Sequence, residues 1–277
     1  MFDIIFLPSI IAMGLLSGFL AGLLGIGGGI VLVPGLYYIF TLAGYESEYL
    51  MHIAVGTSLG VIVPTGLSSV RAHWKRGSVR PDILALIGPG IILGVGAGTV
   101  TAGFIEGAQI KLIFAVAIAL LSLLMISDPS KYKIWNDVPG RVVSGLTGIG
   151  IGTLSVLIGV GGATMSVPFM RLSNVKMTEA VGTASALGLL ISVPGAAGFL
   201  ILGLVTGVDD PMADGLPPLT FGFISLLSWL VIVPLTILAA PFGARAAHAV
   251  SLDMLRRIFA GFMVIVAINM MADVLFR

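Results

Sequence analysis

The chain has 277 residues, 57% of them hydrophobic and only 10% charged, with a formal net charge of +1 and a mean hydropathy of +1.13. So few charges cannot cover a soluble surface, and the near-neutral balance offers no footprint for nucleic acid. The absence of cysteine excludes disulfides, thiolate metal sites and thiol nucleophiles, which leaves a polytopic membrane protein of all-α class as the expectation.

An apolar run begins almost at once, but Asp3 stands where a secretory leader would carry basic residues and no polar domain follows, so this segment reads as retained. Ile4–Tyr45 carries no charged or histidine side chain, a length about twice the ~20 residues of one spanning helix. Gly14, Gly18 and Gly22 recur every fourth residue in it, a stripe suited to close helix packing. The run is then broken by Gly25-Ile26-Gly27-Gly28-Gly29, and a second limb with an early Pro34 follows. Each limb reads as short for a full crossing, so a helical hairpin reaching part of the way is expected.

After a turn bearing Glu46 and Glu48, Ile53–Val70 forms an apolar segment that ends in the most basic stretch, Arg71, His73, Lys75, Arg76 and Arg80. Ile83–Ile105 and the shorter Leu112–Ser127 complete the first half as spanning candidates. Asp128–Arg141, with Pro129 and Pro139, marks the boundary. One integral membrane domain in two units is predicted, 1–130 and 131–277.

The second unit echoes the first. At an offset of 134, Gly14, Gly18, Gly25, Gly27, Gly28, Val33 and Pro34 meet Gly148, Gly152, Gly159, Gly161, Gly162, Val167 and Pro168. Ala54-Val55-Gly56-Thr57 reappears as Ala180-Val181-Gly182-Thr183. Ordered blocks with proline and threonine in register indicate a duplication. Placing the basic 71–80 loop in the cytoplasm leaves only Lys111 and Arg277, among all lysines and arginines, outside. The acidic turn at Glu46 and Glu48 then lies outside while its counterpart with Arg171 and Lys176 lies inside, and the 71–80 loop matches the external Asp209, Asp210 and Asp214. The repeats are therefore expected to be inverted, each a glycine-broken hairpin plus three transmembrane helices, with both termini outside. Inverted repeats characterise secondary transporters, whose substrates bind near the midplane beside broken helices.

At each glycine tip a helix starts, with unpaired N–H groups and the positive end of its dipole directed into the protein. Such a start holds an anion without a buried lysine or arginine. Gly25, Gly27, Gly28 and Gly29 in the first tip and Gly159, Gly161 and Gly162 in the second are thus candidate substrate contacts, with the hydroxyls of Thr57, Ser58, Thr183 and Ser185 as further donors. A small, multiply oxygenated anion fits this chemistry.

The paired GxGG and VP blocks, each followed by AVGTS-like residues (Ala54-Val55-Gly56-Thr57-Ser58 and Ala180-Val181-Gly182-Thr183-Ala184-Ser185), resemble the TauE/SafE sulfite exporter family, also called the toluene sulfonate uptake permease family. The similarity runs over essentially the whole chain. It implies transport of sulfite, an organosulfonate or a related sulfur oxyanion across a bacterial or archaeal plasma membrane, with no cofactor, and fixes neither cargo nor direction. The second copy departs from the first at Ala163 for Gly29 and Ala184 for Ser58.

Other readings stand beside these. The stripe glycines Gly14, Gly18, Gly148 and Gly152 read as packing residues, and the tips read equally as tight turns. Pro34 and Pro168 shape helices, and Thr57 and Thr183 are equally suited to bonding back to a helix carbonyl. The GxGGG string lacks the alternating strands and helices of a dinucleotide site. His52, Glu106 and Glu179 near segment ends are candidates for proton coupling, against simple solvation. The basic loop with Trp74 serves as a topology anchor or touches anionic lipid headgroups. No HExxH or GxSxG motif supports an enzyme. An anion channel, an accessory subunit, an importer in place of an exporter, and a homo-oligomer all stay open at this stage.

Overall fold

A computed structural model describes residues 6–24, 28–126, 134–208, 215–247 and 252–276. The expectations for Gly25, Gly27, Lys131, Lys133, Asp209, Asp210, Asp214 and Arg277 lie outside the described residues.

Among the described residues ten helices follow one another: α1 (Phe6–Leu24), α2 (Gly29–Leu42), α3 (Leu50–Lys75), α4 (Pro81–Ala102), α5 (Gly107–Ile126), α6 (Arg141–Leu157), α7 (Ala163–Leu172), α8 (Met177–Val205), α9 (Leu226–Ala247) and α10 (Leu252–Phe276). Seven of them are long and apolar enough to cross a membrane, as befits a medium in which each helix must satisfy its own backbone. Their outer faces are apolar: Leu112, Val116, Leu120 and Leu123 form an exposed stripe along α5, the surface expected against hydrocarbon.

Two features differ from the sequence expectation. The first limb, α1, has 19 residues, about 28 Å of helix and close to a full hydrocarbon thickness, whereas the return limbs α2 and α7, with 14 and 10 residues, are short. A two-stranded antiparallel ribbon, β1 (Thr220–Phe221) with β2 (Ile224–Ser225), also precedes α9, an addition to an otherwise helical chain.

Helices of each half pack chiefly against the other half. α1 lies on α9 and α6 on α4, while α3 pairs with α8 and α5 with α10. Exchanging each helix for the one five places later converts the first pair into the second and leaves the last two unchanged. Internal prolines follow the same exchange, in α2 and α7, α3 and α8, and α4 and α9.

The glycine stripes make the tight crossings. A Cβ at Gly18 would lie 2.6 Å from the Thr236 backbone, and one at Gly148 would lie 2.5 Å from the Ile87 carbonyl. Small residues here let backbones approach closely where lipid supplies no hydrophobic drive between helices.

Candidate functional site

The two glycine breaks meet in the interior. Gly159 ends α6 with φ +64°; its N–H bonds the Val156 carbonyl and the Val160 N–H bonds the Ser155 carbonyl. This Schellman geometry requires a left-handed residue. Gly28, with φ +62°, precedes α2, and its carbonyl accepts the Val31 and Leu32 amides at 3.0 Å. Gly29 then sits directly on the other break, where an added Cβ would lie 2.8 Å from the Gly159 carbonyl and 3.0 Å from the Val160 Cα. Ser58, fully buried, donates to the same Gly159 carbonyl at 2.8 Å.

Beside this contact lies a cavity of about 490 Å³. Gly28 from the first break and Gly161, Gly162 and Ala163 from the second line it, together with Ser185, Ser69 and Thr65. The Ser69 hydroxyl donates to Ser185 Oγ at 3.2 Å, and Ser185 donates to the Val181 carbonyl at 2.9 Å. His73 and the exposed Arg76 stand where α3 leaves the cavity, and α1 and α9 close the side through Gly22, Thr236 and Pro241. No aspartate or glutamate lines it among the described residues. The starts of α2 and α7, each with amides that precede the first intrahelical bond, share this space.

The predicted site residues divide. Gly28, Gly161, Gly162 and Ser185 line the cavity, while Gly29, Gly159 and Ser58 form the seal next to it. Thr57 and Thr183 have a different task. Thr57 Oγ1 accepts the Ser225 amide at 2.9 Å just before α9, and Thr183 Oγ1 accepts the Arg80 amide at 3.0 Å just before α4. Their glycine neighbours complete the joints: Gly56 packs on the Phe223 carbonyl and Gly182 on the Ser78 carbonyl. Each Ala-Val-Gly-Thr block thus ties a central helix to the entry of a helix about a hundred residues or more away.

The three acid–base candidates lie apart from the cavity lining. Glu106 is exposed at the start of α5. Glu179 pairs with Arg80 at 3.1 Å. Hydrogen bonds that Arg80 donates, to Asp82 first and Glu179 second, push its guanidinium further toward the charged form. His52 is buried toward the opposite end of α3, where Nε2 donates to the Ala102 carbonyl at 3.1 Å and the ring lies 4.9 Å from Phe223.

Sequence reasoning did not place Arg76 and His73 at the cavity; it read them as part of a basic loop that sets topology or touches anionic lipid headgroups. It also missed a buried ion pair, Lys111 with Asp273; an acid inside the apolar α10 was the available signal.

The profile of the sulfite exporter TauE/SafE family matches residues 10–270. A protein of Haemophilus influenzae named a probable membrane transporter is 32% identical over 93% of this chain and 95% of its own length. Probable membrane transporter protein YunE of Bacillus subtilis is 30% identical, over 71% and 79% of the two chains. In Methanocaldococcus jannaschii, probable membrane transporter protein MJ0441 is 27% identical over 71% of this chain and 73% of its own. With its seven apolar spans and a profile match over nearly its whole length, the chain belongs to the TauE/SafE family of membrane transporters.

Proposed function

We propose that this transporter carries a small sulfur oxyanion, sulfite or an organosulfonate, across the plasma membrane by alternating access, with the anion seated in the cavity between the two glycine breaks. The observation that carries the reading is the cavity's lining: both breaks, hydroxyls of Ser69 and Ser185, Arg76 at the mouth, and no carboxylate among the described residues. Amides at helix starts suit oxyanion oxygens, and a cationic mouth concentrates anions before they bind.

The exchange pattern of helix contacts supports two inverted repeats that rock against each other. Arg76 lies on the basic face assigned to the cytoplasm, so the cavity would open inward, with both termini outside. Toward the other ends of α3 and α8, Tyr49, His52, Phe199 and Phe223 pack together, with the Tyr49 and Phe223 rings 5.3 Å apart. A cavity with an aromatic plug on one side favours a carrier over an open channel. Export of sulfite and import of a sulfonate would use the same site, the direction following the gradients.

The test is counterflow and concentrative uptake of sulfite, thiosulfate and methanesulfonate in proteoliposomes, with Gly161→Val as the probe. A Cβ at Gly161 meets only the end of Ile62, at 3.5 and 3.8 Å, so the bulk enters the cavity without a backbone clash. Transport is expected to fall at least about tenfold, the equivalent of ~1.4 kcal/mol of lost binding, while insertion and thermal stability hold. Undiminished transport by Gly161→Val would remove the cavity from the account.

A further inference from the structure

The hydroxyls that the cavity leaves unused include Ser166 and Ser192, which have no hydrogen-bond partner. Hydroxyls within a helix commonly bond back to a carbonyl one turn earlier, as Thr65, Ser173 and Ser185 do here. Ser166 Oγ and Ser192 Oγ, both fully buried, make no such bond. Ser155, 1% exposed, reaches only the Met165 sulfur, at 3.9 Å, and a thioether is a weak acceptor. An unpaired hydroxyl in an apolar interior is a cost that packing gives no reason to keep.

The three serines share one relation to the cavity. The halves align at an offset of 134 across α1 and α2 with α6 and α7, and at 126 across α3 with α8; the matching Thr57–Ser225 and Thr183–Arg80 bonds carry the second alignment into space. Ala21, Leu32 and Gly66 line the cavity, and their counterparts at these offsets are Ser155, Ser166 and Ser192. Two more lining residues, Ala163 and Ala184, correspond to Gly29 and Ser58 of the seal. Along α8, a Cβ on Gly162 of the second break would lie 2.9 Å from the Gly188 nitrogen, and one on Gly195 would lie 2.9 Å from Val156 and 3.2 Å from Leu59. Ser192 falls between Gly188 and Gly195 on that same face. It therefore lies between the cavity, lined by Ala184, Ser185 and Gly188, and Phe199 of the aromatic plug.

We propose that Ser155, Ser166 and Ser192 line the outward-facing form of the anion site, where their hydroxyls donate to the oxyanion once the seal parts and the plug withdraws. This rests on the alternating-access reading above. The plug is the segment that has to move: Gly56 on α3 and Gly203 on α8 both pack against the Gly222–Phe223 backbone, which wedges the two helices. The two forms of the site differ in charge. At the offset of 126, His73 and Arg76 of the inner mouth correspond to Phe199 and Leu202, so the outward form binds through neutral hydroxyls and amides without a cationic mouth. Salt then weakens binding on the cytoplasmic side and leaves the external KM nearly unchanged.

The chain has no cysteine, so single substitutions report access directly in full-length protein. In right-side-out proteoliposomes, Ser192→Cys should react from the outside with the impermeant, anionic sulfonatoethyl methanethiosulfonate reagent. Methanesulfonate at about ten times its KM should slow that reaction about tenfold by occupying the site. Ser185→Cys should react from the lumen, where the inner cavity opens. Ser192→Ala covers poor folding of the cysteine variant: it deletes a hydroxyl that bonds nothing, so the thermal midpoint should hold. The external KM should meanwhile rise about tenfold, the loss of one hydrogen bond to a charged group, with the cytoplasmic KM near its wild-type value. A serine kept only for packing would do the reverse, shifting the midpoint and leaving both KM values alone. Transporting Ser192→Cys protein that never reacts from outside, or an unchanged external KM in Ser192→Ala, would overturn the proposal and leave the carrier reading intact. Labelling of Ser192→Cys and Ser185→Cys from the same side regardless of methanesulfonate, or a wild type that moves neither methanesulfonate nor sulfite, would overturn both.

Discussion

The two halves of the chain, matched motif by motif, differ at two informative positions, and both differences fall on the same boundary. Gly29 and Ser58 of the first half close on the Gly159 carbonyl, by direct packing and by a 2.8 Å hydrogen bond. Their counterparts Ala163 and Ala184 line the cavity. One half supplies the seal and the other the cavity wall. The difference shows how matched motifs can serve opposite tasks, one locking a partner's backbone and the other presenting alanines to a cavity.

The comparison breaks most severely at the seal. Gly159→Ala places a side chain in a left-handed conformation, which costs ~1–2 kcal/mol, and drives its Cβ to 2.8 Å from Val33 and 3.0 Å from the Val55 Cα. The two effects together should lower unfolding stability in detergent by ~3 kcal/mol, adding ~1–2 for the overpacking. Gly29→Ala meets the Gly159 carbonyl at 2.8 Å and should cost ~1–3 kcal/mol; Ala163→Gly, on the open side, should cost less than ~1 kcal/mol. If the two changes have equal effects in a thermal scan, the seal and the wall are not different.

Smaller effects sharpen the contrast. Ser58→Ala deletes the donor to a buried carbonyl and should cost ~1–3 kcal/mol, read by urea or thermal unfolding. The reciprocal Ala184→Ser buries a hydroxyl at a fully buried position of the cavity wall; it should cost ~1–3 kcal/mol while KM changes a few-fold. Smallest of all, Arg76→Gln removes an exposed cation worth ~1 kcal/mol or less. It should raise KM a few-fold at low salt and flatten the salt dependence of uptake, with the maximal rate unchanged.

Much of the fold was legible because it follows from local pattern. Uncharged runs locate spans, spacing-four glycines locate crossings, and each glycine string holds a positive-φ residue, Gly28 and Gly159. The partners of the hydroxyls were not legible. Thr57 and Thr183 belong to the Ala-Val-Gly-Thr blocks that follow the breaks, yet their acceptor oxygens serve Ser225 and Arg80, contacts set by how the halves interleave. Of the four hydroxyls chosen as donors, Ser185 alone lines the cavity, and helical phase near a break does not specify which neighbour a side chain will face. The Lys111–Asp273 pair spans helices from opposite halves, so charge counting along the chain left Lys111 as an exception to the topology rule without revealing its partner.

The central claim, that amides and hydroxyls around the two breaks hold the anion, is tested most directly by a crystal structure of the native-methionine protein soaked with selenite, the heavier isostere of sulfite, with an anomalous map at the selenium edge. The account predicts a single strong peak inside the cavity, within hydrogen-bonding distance of the Gly162 and Ala163 amides, that disappears in Gly161→Val. A peak bound elsewhere in protein that still transports sulfite, with this cavity empty or filled by lipid, would contradict it.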